Sequence, residues 1–388
     1  LDYLAAFGQW TSKITSTLNQ YTAWLADQIF DGEQWHFQKA LLAKEGKVQA
    51  ILPASELPDN IPSRTYPPGT MLSPAFIDLQ IYGAMGKLLS VHPATYALDS
   101  LQQYTLKGGT TWTLPTVSTN TYEVFHQCID AVRAFWQQGG NGILGLHIEG
   151  PWLHPLRKGA HREEWIHKPS ADQVKSLLEY GKGVIKMITL APEVVGDDTI
   201  DLVRSYGVII SAGHSNATYE EATHSFSKGI SAVTHLFNAM SPLQHRAPGL
   251  AGAALDHSSV MVSFIPDGYH VDFAALRIAH RAAGERLFVI TDAVTDCNEG
   301  PYPHQLAGDK YESNGVLSGS ALQMNQAVRN LVRKMNLAPA EAIRLCSVNP
   351  ARLFGRPDIT GKLLPGHRAD LVLMNEDFEV LETYRSPL

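Results

Sequence analysis

The chain has 388 residues, 44% of them hydrophobic and 18% charged, which is enough to bury a large core and is ordinary for a soluble globular protein. Its net charge is −7 and its 31 basic residues are scattered, so no clustered positive face meets a nucleic-acid backbone, and nucleic acid is not an expected partner. No apolar run approaches the roughly 20 residues needed to cross a bilayer and the N-terminus lacks a secretory pattern, so no membrane association is expected.

Residues 1–24 begin without methionine and carry only loose helical periodicity; they are expected to form an N-terminal extension with no assigned role. Residues 25–72 hold short alternating segments such as KVQAILP, with Pro and Gly between them and no clear helix, and residues 361–388 repeat that character in ADLVLMN. Two β-rich ends flanking one body most economically pair with each other as a small second domain. Between them, over residues 73–360, short apolar runs alternate with helical periodicity. The runs are SPAFIDLQ (73–80), TTWTLPTV (110–117), ILGLHIE (143–149), VIKMITL (184–190), VIISAGH (208–214), ISAVTH (230–235), VMVSFI (260–265) and LFVITD (287–292). Ala171–Tyr180 and Ala321–Met335 are among the helical stretches. Eight near-continuous apolar strands alternating with helices indicate an α/β fold, a (β/α)8 barrel rather than a doubly wound sheet. Cys128, Cys297 and Cys346 are odd in number, far apart and in no CxxC spacing, so neither a disulfide framework nor a thiolate metal site is expected, and a reducing cytoplasm fits.

In such a barrel the carboxyl ends of the strands form the rim where ligands bind. Glu149, His214, His235 and Asp292 close the third, fifth, sixth and eighth runs. Singly, each has a bland reading: a strand-end histidine is more often a hydrogen-bonded structural residue, and a carboxylate there can cap the next turn. Together they are harder to dismiss, because burying a carboxylate and two imidazoles side by side is unfavourable unless a cation neutralises them. Two imidazoles and one carboxylate also leave a coordination position open on a zinc-like ion, the ligand count of a hydrolytic site. Asp292 is then the free carboxylate that takes and returns protons.

The motifs PAFIDLQIYG (74–83), HIEGPWL (147–153), KGAH (158–161), GHSNA (213–217), THLFNAM (234–240), RAPG (246–249), DGYH (267–270), TDAV (291–294), LSGSALQM (317–324), NPA (349–351) and GKLLPGHRADLV (361–372) resemble those of amidohydrolases that deacetylate amino-sugar phosphates. The resemblance runs over about residues 25–380 and implies a TIM-like (β/α)8 barrel with a small β-sandwich domain built from both chain ends. It implies that Glu149, His214 and His235 bind one divalent metal, with zinc expected and iron(II), manganese or cobalt compatible with the same ligands. It also implies that Asp292 is the general acid/base, that Ala160 and His161 touch the substrate, and that His161 helps stabilise the oxyanion. Asn238, Ala239 and Arg246 would help hold the sugar phosphate, and His270, Leu317, Ser318 and Gly319 would line the pocket. The implied assembly is a homodimer in which Arg246 and His270 reach the phosphate of the adjacent subunit. The implied reaction is hydrolysis of the acetamide of N-acetyl-D-glucosamine 6-phosphate to D-glucosamine 6-phosphate and acetate. The same reaction on the galactosamine epimer is the nearest alternative, followed by hydrolysis of a cyclic amide and by a non-catalytic scaffold.

Several residues have readings of their own. Arg246 lies in a Gly/Pro-rich loop where a guanidinium could meet two phosphate oxygens, or it is a solvated surface residue. His161 follows Arg157 and Lys158 and by itself reads as a surface residue. His147 shares the strand face of Glu149 and reads as a barrel-interior group. Ser320 reads as a helix N-cap. The chain also departs from the pattern: Asp78-Leu79-Gln80 stands where many amidohydrolases carry a His-x-His for a second metal, so one ion is expected, with Gln80 bonded to the metal's water. Tyr82 replaces a common asparagine and Ala75 a common glycine.

Overall fold

The computed structural model describes residues 21–313 and 315–387. Each of the eight apolar runs supplies one strand of an eight-stranded sheet: Phe76–Ile81, Thr110–Ser118, Leu146–Glu149, Ile185–Leu190, Ile209–Ala212, Ala232–Val233, Met261–Phe264 and Leu287–Val289. They pair in chain order and every pair is parallel. Parallel neighbours require crossovers, and helices Thr95–Lys107, Tyr122–Gln137, Ala171–Tyr180, Asp197–Ser205, Tyr219–Ser227, Gly249–Asp256 and Phe273–Ala283 supply them. Their starts carry side-chain caps where the sequence offers one: Thr121, Ser170, Thr218 and Asp272, with full capping boxes at Ser170 and Thr218.

The first and eighth strands close the cylinder without a regular ladder. The Asp292 amide donates to the Gln80 carbonyl at 3.0 Å and the Tyr82 amide to that of Ala293 at 2.9 Å. The Asp78 carboxylate accepts from the Thr291 hydroxyl at 2.5 Å and the Thr291 amide at 3.2 Å. The interior carries a polar layer: His147 Nε2 lies 2.7 Å from Thr189 Oγ1, which lies 2.8 Å from Thr234 Oγ1, itself 2.6 Å from Ser211 Oγ. Burial drives the His147 pKa down to about 4, so the ring is a neutral member of this network.

The two chain ends meet in a separate seven-stranded sheet, ordered Val380–Tyr384, Leu371–Met374, Met71–Pro74, Tyr21–Phe30, Trp35–Lys44, Lys47–Pro53, with Ser63–Thr65 alongside Tyr21–Phe30. It has its own apolar core of Trp24, Ile29, Leu41, Leu72, Leu371 and Leu373. The expected fold class, a barrel with a small β unit from both ends, is borne out. Two boundaries differ from expectation. The first strand begins at Tyr21, so residues 21–24 are sheet and not extension, because Trp24 is fully buried and packs on Tyr384 with ring centroids 4.9 Å apart. The expectation for residues 1–20 falls outside the described residues. Ser320 caps no helix: it ends the strand Val316–Ser320 of a three-stranded antiparallel sheet that the sequence did not suggest. Its hydroxyl donates to the Thr291 carbonyl at 2.6 Å, and the following helix starts only at Met324, capped by Gln323.

Candidate active site

Three of the four rim residues end their strands in the left-handed backbone region, His214 at φ 47°, His235 at 35° and Asp292 at 54°. Such a conformation is uncommon for a residue with a Cβ and persists only where the surroundings over-determine it. Here the backbone hydrogen bonds around the rim do so, among them His235 N to Ser263 Oγ at 2.8 Å and Asp292 N to Gln80 O at 3.0 Å. The result is that all four side chains converge, each nearly inaccessible to solvent: Glu149 is 1% exposed, His214 and His235 5%, Asp292 8%.

His235 Nε2 lies 3.1 Å from both Glu149 Oε1 and His214 Nε2, and His214 Nε2 lies 3.3 Å from Glu149 Oε1. Ligands about 2.0–2.1 Å from a tetrahedral ion stand about 3.3–3.4 Å from one another, so this corner has the dimensions of a metal site. Proton placement agrees. His214 Nδ1 faces the Arg157 carbonyl at 2.8 Å, so it carries the hydrogen and leaves Nε2 as a lone pair. His235 Nδ1 is buried without a partner among the described residues. A hydrogen on Nδ1 is orphaned and sets three lone-pair atoms against each other, whereas a hydrogen on Nε2 alone leaves Nδ1 without a donor. A divalent ion at the corner relieves the first arrangement, and these residues therefore fit one.

Burial alone would push the Glu149 carboxyl up, but its contacts with His161, His214 and His235 outweigh that and hold it well below the usual carboxylate range. Asp292 goes the other way: burial raises it, the charges of Glu149 and Asp267 add to the rise, and His235 and His270 only partly oppose them. Burial, with His161 close by, takes His214 down to about 4, so this imidazole is neutral and available as a ligand.

A cavity of about 220 Å³ opens on this corner. Its lining includes Glu149, His214, His235, Asp292, Ala160, His161, Asn238, Ala239, His270, Leu317 and Ser318, so most of the sequence-derived site residues share one space. Gln80 lies beside it, its amide nitrogen 2.8 Å from Asp292 Oδ1, 2.9 Å from the Tyr82 hydroxyl and 3.1 Å from Glu149 Oε1. His161 is far from the surface residue its neighbours suggest. The Thr119 amide can only donate, and it points at His161 Nδ1 at 3.3 Å, which places the ring hydrogen on Nε2, 3.3 Å from Glu149 Oε2.

Two expected site residues, Arg246 and Gly319, are not among those lining this cavity. Arg246 is exposed and lines a neighbouring groove with Arg157 and Asn216, away from the cavity. His270 does line it: Asp267 Oδ2 holds its Nδ1 at 2.6 Å and its Nε2 stands 3.7 Å from Asp292 Oδ2. Gly319 backs the cavity without lining it, since a Cβ there would lie 2.7 Å from Val294 Cγ1 and 3.1 Å from the Asp292 carbonyl. Sequence reasoning passed over Asp267, Thr119 and Gly159, and met Tyr82 only as a departure. The three-residue spacing of Asp267 and His270 was a usable signal, but nothing in the sequence ties Thr119 to His161.

Residues 71–387 match the sequence profile of the Amidohydrolase family. The chain is 33% identical over 347 residues, 87% of its length and 90% of the relative's, to N-acetylglucosamine-6-phosphate deacetylase of Haemophilus influenzae. It is 30% identical over 370 residues, 92% of its length and 96% of the relative's, to N-acetylgalactosamine-6-phosphate deacetylase of Escherichia coli O157:H7. The crystal structure of N-acetylglucosamine-6-phosphate deacetylase from Pasteurella multocida superposes with a TM-score of 0.89 at 35% identity, covering 94% of this chain and 98% of that one. With the profile running from the edge of the small sheet through the whole barrel and back to the small sheet, this chain belongs to the amidohydrolase family.

Proposed function

We propose that the chain hydrolyses the acetamide of N-acetyl-D-glucosamine 6-phosphate to D-glucosamine 6-phosphate and acetate, a reaction of amino-sugar catabolism. The observation that carries this reading is the corner of Glu149, His214 and His235, whose atoms lie within 4.8 Å of one another beside a carboxylate, Asp292, that is not part of it. When bound, one divalent ion at that corner, for which zinc is our assignment, acidifies a water and polarises the amide carbonyl.

The chain's own residues supply the proton traffic and the fit. Asp292 takes the proton of the attacking water and returns it to the leaving nitrogen; its raised pKa suits a group that must do both. Gln80 occupies Oδ1, which leaves Oδ2, facing His270, as the oxygen that moves the proton. His161, with its hydrogen on Nε2, is a ready donor to the carbonyl oxygen as charge builds there. Ala160, Asn238, Ala239, Leu317 and Ser318 bound the space for the sugar.

Among the described residues that line the cavity there is no Lys or Arg, although the substrate's phosphate needs a cation. That supports a homodimer in which Arg246, exposed near the rim, reaches the phosphate from an adjacent copy. The three free, buried cysteines suit a cytoplasmic protein. The galactosamine epimer is the second reading, favoured by the 30% identity over 370 residues to the E. coli protein named for it. Replacing Asp292 by Asn tests the central assignment: acetate release should fall by about 100-fold or more with KM little changed. A variant that kept more than about a tenth of wild-type kcat would show that Asp292 is not the proton carrier.

A further inference from the structure

We propose that the Tyr82 hydroxyl is a positioning group for the metal corner, occupying Oε2 of Glu149 so that Oε1 alone faces the two imidazoles. The inference rests on reading Glu149, His214 and His235 as metal ligands.

The two oxygens of Glu149 have different surroundings. Oε1 stands 3.1 Å from His235 Nε2 and 3.3 Å from His214 Nε2. Oε2 takes a close hydrogen bond from the Tyr82 hydroxyl and stands 3.3 Å from His161 Nε2. A phenol has one hydrogen to give. The other acceptor in reach, Asp292 Oδ1, is at 3.4 Å and is already served by Gln80 at 2.8 Å, so the hydrogen of Tyr82 goes to Glu149. Gln80 Nε2, 2.9 Å away, donates back into the phenol oxygen and fixes its direction. The backbone that carries the ring is held on both sides, the Tyr82 amide donating to the Ala293 carbonyl at 2.9 Å and its own carbonyl accepting from the Leu89 amide at 3.0 Å.

A carboxylate with one oxygen tied off binds an ion through the other. Without the tie it is free to chelate through both, which raises the coordination number and uses up the position a water needs. Groups that orient a metal ligand commonly contribute 10–100-fold to metal affinity or activity. Tyr82 reads from sequence as a bulky replacement beside the strand; in the fold it sets which atom of Glu149 is the ligand.

Tyr82→Phe removes the hydroxyl and keeps the ring. The full chain, wild type and variant, is stripped with chelator and titrated with cobalt(II), recording affinity, the visible absorption of the bound ion and the melting temperature of the ion-free protein. The expected result is an unchanged ion-free melting temperature, cobalt affinity lower by about 10-fold or more, and a weaker visible band, since four-coordinate cobalt absorbs more strongly than higher-coordinate cobalt. Wild-type affinity and spectrum in the variant would overturn the proposal. So would an affinity loss that only follows a lower ion-free melting temperature with the spectrum unchanged, which is the signature of lost packing. Because no substrate is involved, a wild-type protein that binds cobalt yet releases no acetate refutes the proposed reaction and leaves this inference standing; one that binds no cobalt removes the ligand assignment and this inference with it.

Discussion

Asp78 sits two residues before Gln80 on the first barrel strand, 1% exposed, and bonds the first strand to the eighth through the Thr291 amide and hydroxyl. Burial pushes its pKa up to about 7 from an ordinary 3.8, against the donors that favour its charge. Between those two values the folded chain holds a proton that the unfolded chain has released, so this group's contribution to stability is complete below about pH 4 and is lost as pH rises through about 7. Asp78→Asn, which keeps an acceptor for the two amides while the Thr291 hydroxyl can turn to accept, should remove that decline. Urea midpoints measured from pH 4 to pH 8 should fall less steeply for the variant than for wild type; parallel curves would mean that Asp78 is ionised throughout. The site residues themselves were legible where strand geometry forced them into view: Glu149, His214, His235 and Asp292 each end an apolar run, and a barrel turns such ends toward one point. Tyr82 was opaque because a tyrosine after an apolar strand looks like core, and its meaning lies in contacts with residues 67 and 210 positions away.

Among the elements, the three-stranded antiparallel sheet of Gln305–Ala307, Lys310–Ser313 and Val316–Ser320, a double hairpin, bonds directly to the backbone at Asp292. Its last strand bonds Ser320 N to Asp292 O at 3.0 Å, and Ser320 O accepts from Val294 N at 3.2 Å, so the backbone of Asp292, the proposed proton carrier, is clamped from that side. Gly319 makes the approach possible, since a Cβ would come within 2.7 Å of Val294. Gly319→Ala should therefore displace the strand and Asp292 with it, and a misplacement of about 1 Å is worth on the order of 100-fold in rate. The expected outcome is a large loss of kcat with a melting temperature only a few degrees lower; unchanged kcat would show that the hairpin does not govern Asp292. The eight barrel strands were readable because strands buried on both faces are continuous apolar runs. The hairpin was not, because its strands are short, partly exposed and full of Gly, Ser and charged residues that otherwise read as loop.

Across the whole molecule, the small sheet pairs strands from opposite ends of the chain, Leu371 with Pro74 and Met374 with Met71, and feeds the barrel directly. Met71–Pro74 pairs antiparallel with Leu371–Met374, and after the single residue Ala75 the first barrel strand begins at Phe76. Chain ends with the same alternating character signalled this pairing, but the sequence did not place residues 21–24 in the sheet, because Trp24 is recognisable as part of it only once Tyr384 lies against it. Arg246, proposed above for the phosphate, was picked out by its Gly/Pro-rich loop, but it is exposed on the single chain, so the fold of one copy adds nothing to that reading. The central claim is that one ion held by Glu149, His214 and His235 is what makes this barrel a deacetylase. The most direct test is to strip the protein with chelator, reload it with zinc, and measure bound metal and acetate release from N-acetyl-D-glucosamine 6-phosphate and its galactosamine epimer in parallel. One ion per chain, activity lost on stripping and regained on reloading, and a higher kcat/KM on the glucosamine compound are the expected results; full acetate release by the metal-free protein, or none from either sugar by the loaded one, would contradict the claim.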